Sequence, residues 1–151
     1  MQVQQKTVHR AEAILAALMV VAGVLFIIVR GPRVHSAGIR LYFPDADSHQ
    51  LKEEIRPLPL EGSTSERAEI IVRELLLGPL TRNLVPVAPA EVAFNRAIAT
   101  AKGILIDIQV KDLASFSPYY RSFADALRKS IAETLPGSPR VILYINSQPT
   151  L

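Results

Sequence analysis

The sequence predicts an α+β fold: a single split β-α-β-β-α-β domain, with two helices packed on one face of a sheet, preceded by one N-terminal transmembrane helix. Three observations carry this expectation. An uncharged apolar run fills 13–29, two stretches of helical apolar spacing lie further on, and period-two alternation flanks both of them.

The run Ala13–Val29, AILAALMVVAGVLFIIV, holds no charge. At about 1.5 Å per residue it makes roughly 25 Å of helix, which its flanks extend towards the ~30 Å hydrocarbon core of a bilayer. An amphipathic helix in water would place polar residues every three or four positions, and none occurs here. Arg30, Pro32 and Arg33 follow at once, whereas a cleaved signal peptide has a shorter apolar region and a neutral, small-residue site after it. These features favour a retained anchor over cleavage at Val34-His35-Ser36. Lys6 and Arg10 balance Arg30 and Arg33, so flanking charge does not set the orientation. The short tail before the run and the long segment after it favour an N-terminus inside and a domain outside. The expected organisation is a cytoplasmic tail (1–12), a transmembrane helix (13–29), a linker (30–37), an α/β domain (38–147) and a C-terminal tail (148–151).

Ile39, Leu41 and Phe43 alternate with Arg40 and Tyr42, which reads as a strand, and Pro44-Asp45-Ala46-Asp47-Ser48 is turn chemistry. The return segment Leu51–Leu60 contains Pro57 and Pro59, so it is expected as an edge or loosely paired strand. Ser63-Thr64-Ser65-Glu66 is a capping box. Ala68, Ile71, Val72, Leu75 and Leu76 then recur at helical spacing until Gly78-Pro79 stops the helix. Glu91–Thr100 alternates again, with Val92, Phe94 and Ile98 on one face. The next strand is the clearest: Ile104, Ile106, Ile108 and Val110 lie opposite Leu105, Asp107 and Gln109. Ser117 and Pro118 read as the N-cap and first residue of a second helix that buries Tyr120, Phe123, Ala124, Leu127 and Ile131. Val141–Ile145 closes as an apolar strand.

Several of these segments together resemble the GerMN domain, the module of sporulation and spore-germination protein M. The residues are Leu41-Tyr42-Phe43 before an acidic turn, Leu75-Leu76-Leu77-Gly78-Pro79-Leu80-Thr81, Gly103-Ile104-Leu105-Ile106-Asp107-Ile108, Ser130-Ile131-Ala132-Glu133-Thr134-Leu135, and Val141-Ile142-Leu143-Tyr144-Ile145-Asn146. The resemblance spans about Ile39 to Asn146. The chain departs from the family pattern at Gln109, where a serine is usual, and at Ser147, where a glycine is usual. What the resemblance implies is an extracytoplasmic, membrane-tethered or lipoprotein module without known catalysis, similar in fold to the ring-building domains of envelope secretion machines.

Composition narrows the function classes. The chain has no cysteine, which excludes disulfides, thiolate metal sites, cysteine nucleophiles and a lipidated-cysteine anchor. Its net charge is +3, and the basic residues are dispersed among acids, so nucleic acid is not an expected partner. Asp45, Asp47 and His49 alternate in the first turn, but a hard-cation loop needs more oxygens and a glycine, and a solvated turn explains them. Asp107, with Lys102 and Lys111 near in sequence, reads as a solvated or edge-paired carboxylate. Gly78-Pro79 reads as a helix stop more simply than as a contact loop. No residue is assigned as catalytic, cofactor-binding or metal-ligating, and the chain is not expected to be an enzyme.

Two functions follow. The first is a protein-interaction or assembly module of the bacterial envelope that holds envelope proteins through sheet edges or helix faces, with sporulation or germination as its setting. Self-association is a further option, because Ala13 and Ala17 form a small-xxx-small pair in the anchor. The second is a binding domain for cell-wall glycan or peptide, which calls for clustered aromatic side chains. Tyr42 and Tyr144 would have to lie on neighbouring strands.

Overall fold

The computed structural model describes residues 38–150. The expected tail, transmembrane helix and linker, with Ala13 and Ala17, lie outside the described residues, and no helix among those described is long and apolar enough to cross a membrane. The elements are β1 (Ile39–Pro44), β2 (Leu51–Arg56), α1 (Thr64–Leu76), β3 (Ala93–Thr100), β4 (Gly103–Gln109), α2 (Leu113–Phe116), α3 (Tyr120–Thr134), β5 (Val141–Ile145) and β6 (Gln148–Pro149).

The α+β class stands, but the strands form two sheets instead of one. β1 and β2 make an antiparallel hairpin, and β3-β4-β5-β6 make a mixed sheet in which β4 and β5 run parallel. The division has a local cause on α3. The amides of Arg40 and Tyr42 face away from β2 and donate to Thr134 Oγ1 (3.1 Å) and Ser130 Oγ (3.0 Å), while Thr134 Oγ1 donates back to Arg40 O (3.0 Å). Two hydroxyls one helical turn apart thus occupy the edge where another strand would pair.

One hydrophobic core joins both sheets and both long helices. Ile39, Leu41 and Phe43 of β1 are fully buried, as are Ile71 and Leu75 of α1, Ile104, Ile106 and Ile108 of β4, and Phe123, Leu127 and Ile131 of α3. The alternation of β4 and the helical spacings therefore fall where the sequence placed them. The capping box is present: Ser63 Oγ accepts from Glu66 N, and Glu66 accepts from Ser63 N at 2.7 Å. Gly78, at φ +84°, ends α1 with its N–H on Leu75 O. Gly103, at φ +137°, is fixed by close approach, because a Cβ there would lie 2.2 Å from Arg140 O.

Four features differ from expectation. β2 ends at Arg56, since the prolines that follow cannot donate to a ladder. β3 carries a bulge between Phe94 and Arg96, which reverses the alternation. Phe94 and Ala97 then pack on the core, and Ile98 is exposed instead of lying on one face with Val92 and Phe94. Ser117 is not an N-cap. Its φ and ψ are helical, and it closes α2, a short turn capped by the Asp112 carboxylate on Ala114 N. α3 begins at Tyr120 without a side-chain cap, and the Phe116 ring packs edge-on against Phe123 at 5.8 Å to hold the corner. A short β6 also follows the last expected strand, through a turn in which Asn146 and Ser147 both have positive φ.

Candidate functional site

In the first turn the three expected polar residues separate. Asp47 and His49 are exposed, whereas Asp45 is buried. The Asp45 carboxylate accepts from Lys52 Nζ (2.5 Å) and from Ser48 N (2.9 Å) and Oγ (2.8 Å). The Lys52 bond, followed by those from Ser48, holds its carboxyl far below the usual range. The turn is also tied to the crossing after α1, through Ala46 N to Asn83 O and Val85 N to Pro44 O. Asp45 is therefore a turn clamp, and no group of three His, Asp or Glu side chains gathers as a metal cluster among the described residues.

Asp107, expected as a solvated or edge-paired carboxylate, is not solvated. It is buried on β4, and its partners are Asn95 Nδ2 (2.7 Å), Ser147 N (2.9 Å), Ser147 Oγ (3.0 Å) and, more loosely, Arg96 Nε (3.5 Å). Burial pushes this carboxyl up, but the bonds from Ser147 and Asn95 outweigh it and hold the pKa below the ordinary value. Lys102 and Lys111 are exposed and take no part. Arg96, Ile98, Leu105, Asp107 and Tyr144 line a shallow hollow of about 170 Å³ on the sheet face away from the core. Tyr42 is 7% exposed in the other sheet, with Lys129 Nζ 4.4 Å from its ring centroid, so the aromatic pair needed for a glycan platform does not form.

A buried polar knot escaped the sequence reading altogether. Arg56 is 4% exposed and donates from Nε (3.1 Å) and Nη2 (2.9 Å) to Glu54 Oε1, from Nη1 to Glu74 O (3.1 Å) and to the Glu74 carboxylate, and from Nη2 to Gly78 O. The other oxygen of Glu54 accepts the amides of Leu80 (3.0 Å) and Thr81 (2.8 Å). Burial raises the Glu54 pKa, but hydrogen bonds from Thr81 and Arg56 prevail and lower it. The knot fixes the Gly78-Pro79 loop to β2 and leaves Leu77 and Leu80 facing outward. The only local signal was a Glu-x-Arg pair on a strand face that also carries no proline, which does not distinguish burial from exposure.

The edges of the hairpin are unequal. Because the Arg40 and Tyr42 amides point to α3, the pairs Leu41–Glu54 and Phe43–Lys52 exchange the hairpin hydrogen bonds, and Glu53 and Ile55 direct their backbone groups outward. No described strand pairs with that outer edge. Ile55 beside it is 47% exposed.

No family model matches the sequence, and no curated protein matches it. Among solved structures, the first GerMN domain of the sporulation protein GerM from Bacillus subtilis aligns with a TM-score of 0.57 at 18% identity, over 76% of this chain and 86% of that one. The tandem GerMN domains of the same protein align with a TM-score of 0.52 at 21% identity, again over 76% of this chain but only 41% of theirs. These alignments agree with the motifs read from the sequence, and the described residues have the fold of a GerMN domain.

Proposed function

We propose that the chain is a membrane-tethered, extracytoplasmic GerMN-like domain that works as a non-catalytic interaction module of the bacterial cell envelope, in a process related to sporulation or germination. The observation that carries this reading is the free outer edge of β2. Its unpaired backbone groups at Glu53 and Ile55 form a template on which an extended segment of a partner adds a strand. The buried Glu54–Arg56 pair fixes the same strand from its inner face, so the edge is presented in one conformation. The run 13–29 supplies the tether, the domain lies outside, and the partners are envelope proteins.

Ile55→Pro tests the reading. It removes an outward N–H that the hairpin does not use and blocks strand addition. In membranes from an envelope-bearing host, the wild-type chain is expected to co-purify with partner proteins, and Ile55→Pro to lose them at an unchanged thermal midpoint. Equal recovery with both chains, or retention of purified wall material by both, refutes the reading. A C-terminal reporter active on only one side of the membrane tests the topology, and activity in the cytoplasm overturns it.

A further inference from the structure

We infer that the partner of the β2 edge is a basic one: an extended segment that carries lysine or arginine opposite Glu53 and an aliphatic side chain opposite Ile55. The inference rests on the reading of β2 as a docking edge and adds to it the chemistry of what docks. Glu53 and Ile55 share one face of the hairpin, since they lie directly across from Tyr42 and Arg40, and the side chains of Arg40 and Glu53 meet at 3.1 Å. Both direct their N–H and C=O away from β1, so in an antiparallel guest strand each exchanges both hydrogen bonds with the residue opposite it. Residues directly opposite one another also share a face. The guest side chains that face Glu53 and Ile55 are therefore the ones this edge selects.

The other face of β2 offers much less to select with. Glu54 and Arg56 are buried, and their polar atoms are engaged by each other, by Glu74 and by the backbone of Gly78, Leu80 and Thr81. Lys52 is exposed but tied to Asp45. On the outer face the two charges differ in reach. Arg40 sits on β1, behind Glu53 as seen from the free edge, and its side chain is 18% exposed against 35% for Glu53. The charge that a guest strand meets first is negative, beside an isoleucine that is itself half-exposed. A guest lysine or arginine extends the existing pair into a ladder across three strands, with Arg40 and the guest cation on either side of one carboxylate. A guest carboxylate would instead face Glu53 from a residue whose Cα lies about 5.5 Å away, and like charges directly opposite are destabilising. The same repulsion disfavours a second copy in the register that centres on Glu53, because it sets that residue against its own equivalent.

Two end-blocked peptides test this, Thr-Val-Thr-Lys-Thr-Val-Thr and the same sequence with glutamate in place of lysine. Their palindromic order sets a valine opposite Ile55 whenever the central residue faces Glu53, for a guest of either direction. Labelled with one fluorophore, they are titrated with the full chain in uncharged detergent, and fluorescence polarisation reads binding. The lysine peptide is expected to bind about five- to tenfold more tightly than the glutamate peptide at low salt, with the difference shrinking at high salt. Glu53→Gln is expected to abolish the difference, Glu53→Lys to reverse it, and Ile55→Pro to lose both peptides. Equal affinity for the two peptides, lost in Ile55→Pro, overturns the basic partner and leaves the docking edge intact. A preference for lysine that survives unchanged in Glu53→Gln overturns the role given to Glu53. Binding of neither peptide to the wild-type chain, or binding that Ile55→Pro retains, overturns the docking edge and the inference with it. A chain that sediments as a dimer, becomes monomeric as Ile55→Pro and is not dissociated by the lysine peptide gives the edge to a second copy and overturns the basic partner.

Discussion

Ser147 donates both its backbone N–H (2.9 Å) and its hydroxyl (3.0 Å) to the buried carboxylate of Asp107. The pairing links the turn between β5 and β6 to the middle of β4. At φ +63° a glycine would sit without strain, but only the serine hydroxyl adds a bond to Asp107. Ser147→Ala is expected to lose about 1–3 kcal/mol of stability, because it keeps the strained backbone and removes a donor from a buried carboxylate. Ser147→Gly should lose less. Urea unfolding of the two variants beside the wild type measures the difference, and equal midpoints for all three would remove the hydroxyl from the account.

The same carboxylate gives a pH dependence with a fixed sign. Its pKa is lower in the folded chain than in the unfolded one, so the stability it contributes is full above the ordinary value of about 3.9 and is lost as pH falls through the lower, folded value. Asp107→Asn should be less stable than wild type at pH 7, and the gap should narrow as pH falls below 4. Thermal midpoints measured from pH 7 to pH 2 test this, and a gap that widens in acid contradicts it.

Arg56 neutralises two carboxylates in a buried site. Its loss leaves Glu54 buried without its cation, and Arg56→Met is expected to cost about 3–5 kcal/mol. Arg56→Lys should recover only part of this, since an ammonium cannot reproduce the fork that reaches Glu54, Glu74 O and Gly78 O together. Denaturant midpoints of the two variants decide it.

In the core, Ile106→Ala removes a fully buried side chain from the centre of β4 and should cost about 2–5 kcal/mol. A thermal midpoint equal to that of wild type would place Ile106 outside the core.

The first turn carries a different expectation. Asp45→Ala should lower stability, because it frees Lys52 and leaves Ser48 N without an acceptor, while Asp47→Ala should leave the thermal midpoint within experimental error. Both variants are expected to retain partner binding if β2 is the docking edge.

What the sequence showed, and what it hid, follows from how far apart the determining groups lie. β4 was legible because Ile104, Ile106 and Ile108 alternate without interruption, and α1 was legible because its cap, apolar spacing and Gly78 stop all lie within one stretch of chain. The face of Ile98 was misread because a bulge at Asn95 leaves no mark in an alternating pattern. The division into two sheets depends on Ser130 and Thr134, one turn apart on a helix face, meeting a strand about ninety residues earlier, and two hydroxyls inside a helix look solvent-facing when read locally. Burial of Arg56 required Glu74 and Gly78, both contributed by a later element, and Asp107 required Ser147. Asp107 was expected as solvated or edge-paired for want of a visible partner, and Arg56 drew no reading at all, because in both the groups that make burial tolerable are supplied from a distance along the chain.

The hydroxyls of Ser130 and Thr134 have one more consequence, for symmetry. With the β1 side of the hairpin sealed by α3, that small sheet has a single side on which to grow. Two copies joined through it would pair β2 with β2 about a twofold axis, and each would use up the other's free side. Such pairing closes at two subunits and cannot propagate as a fibre.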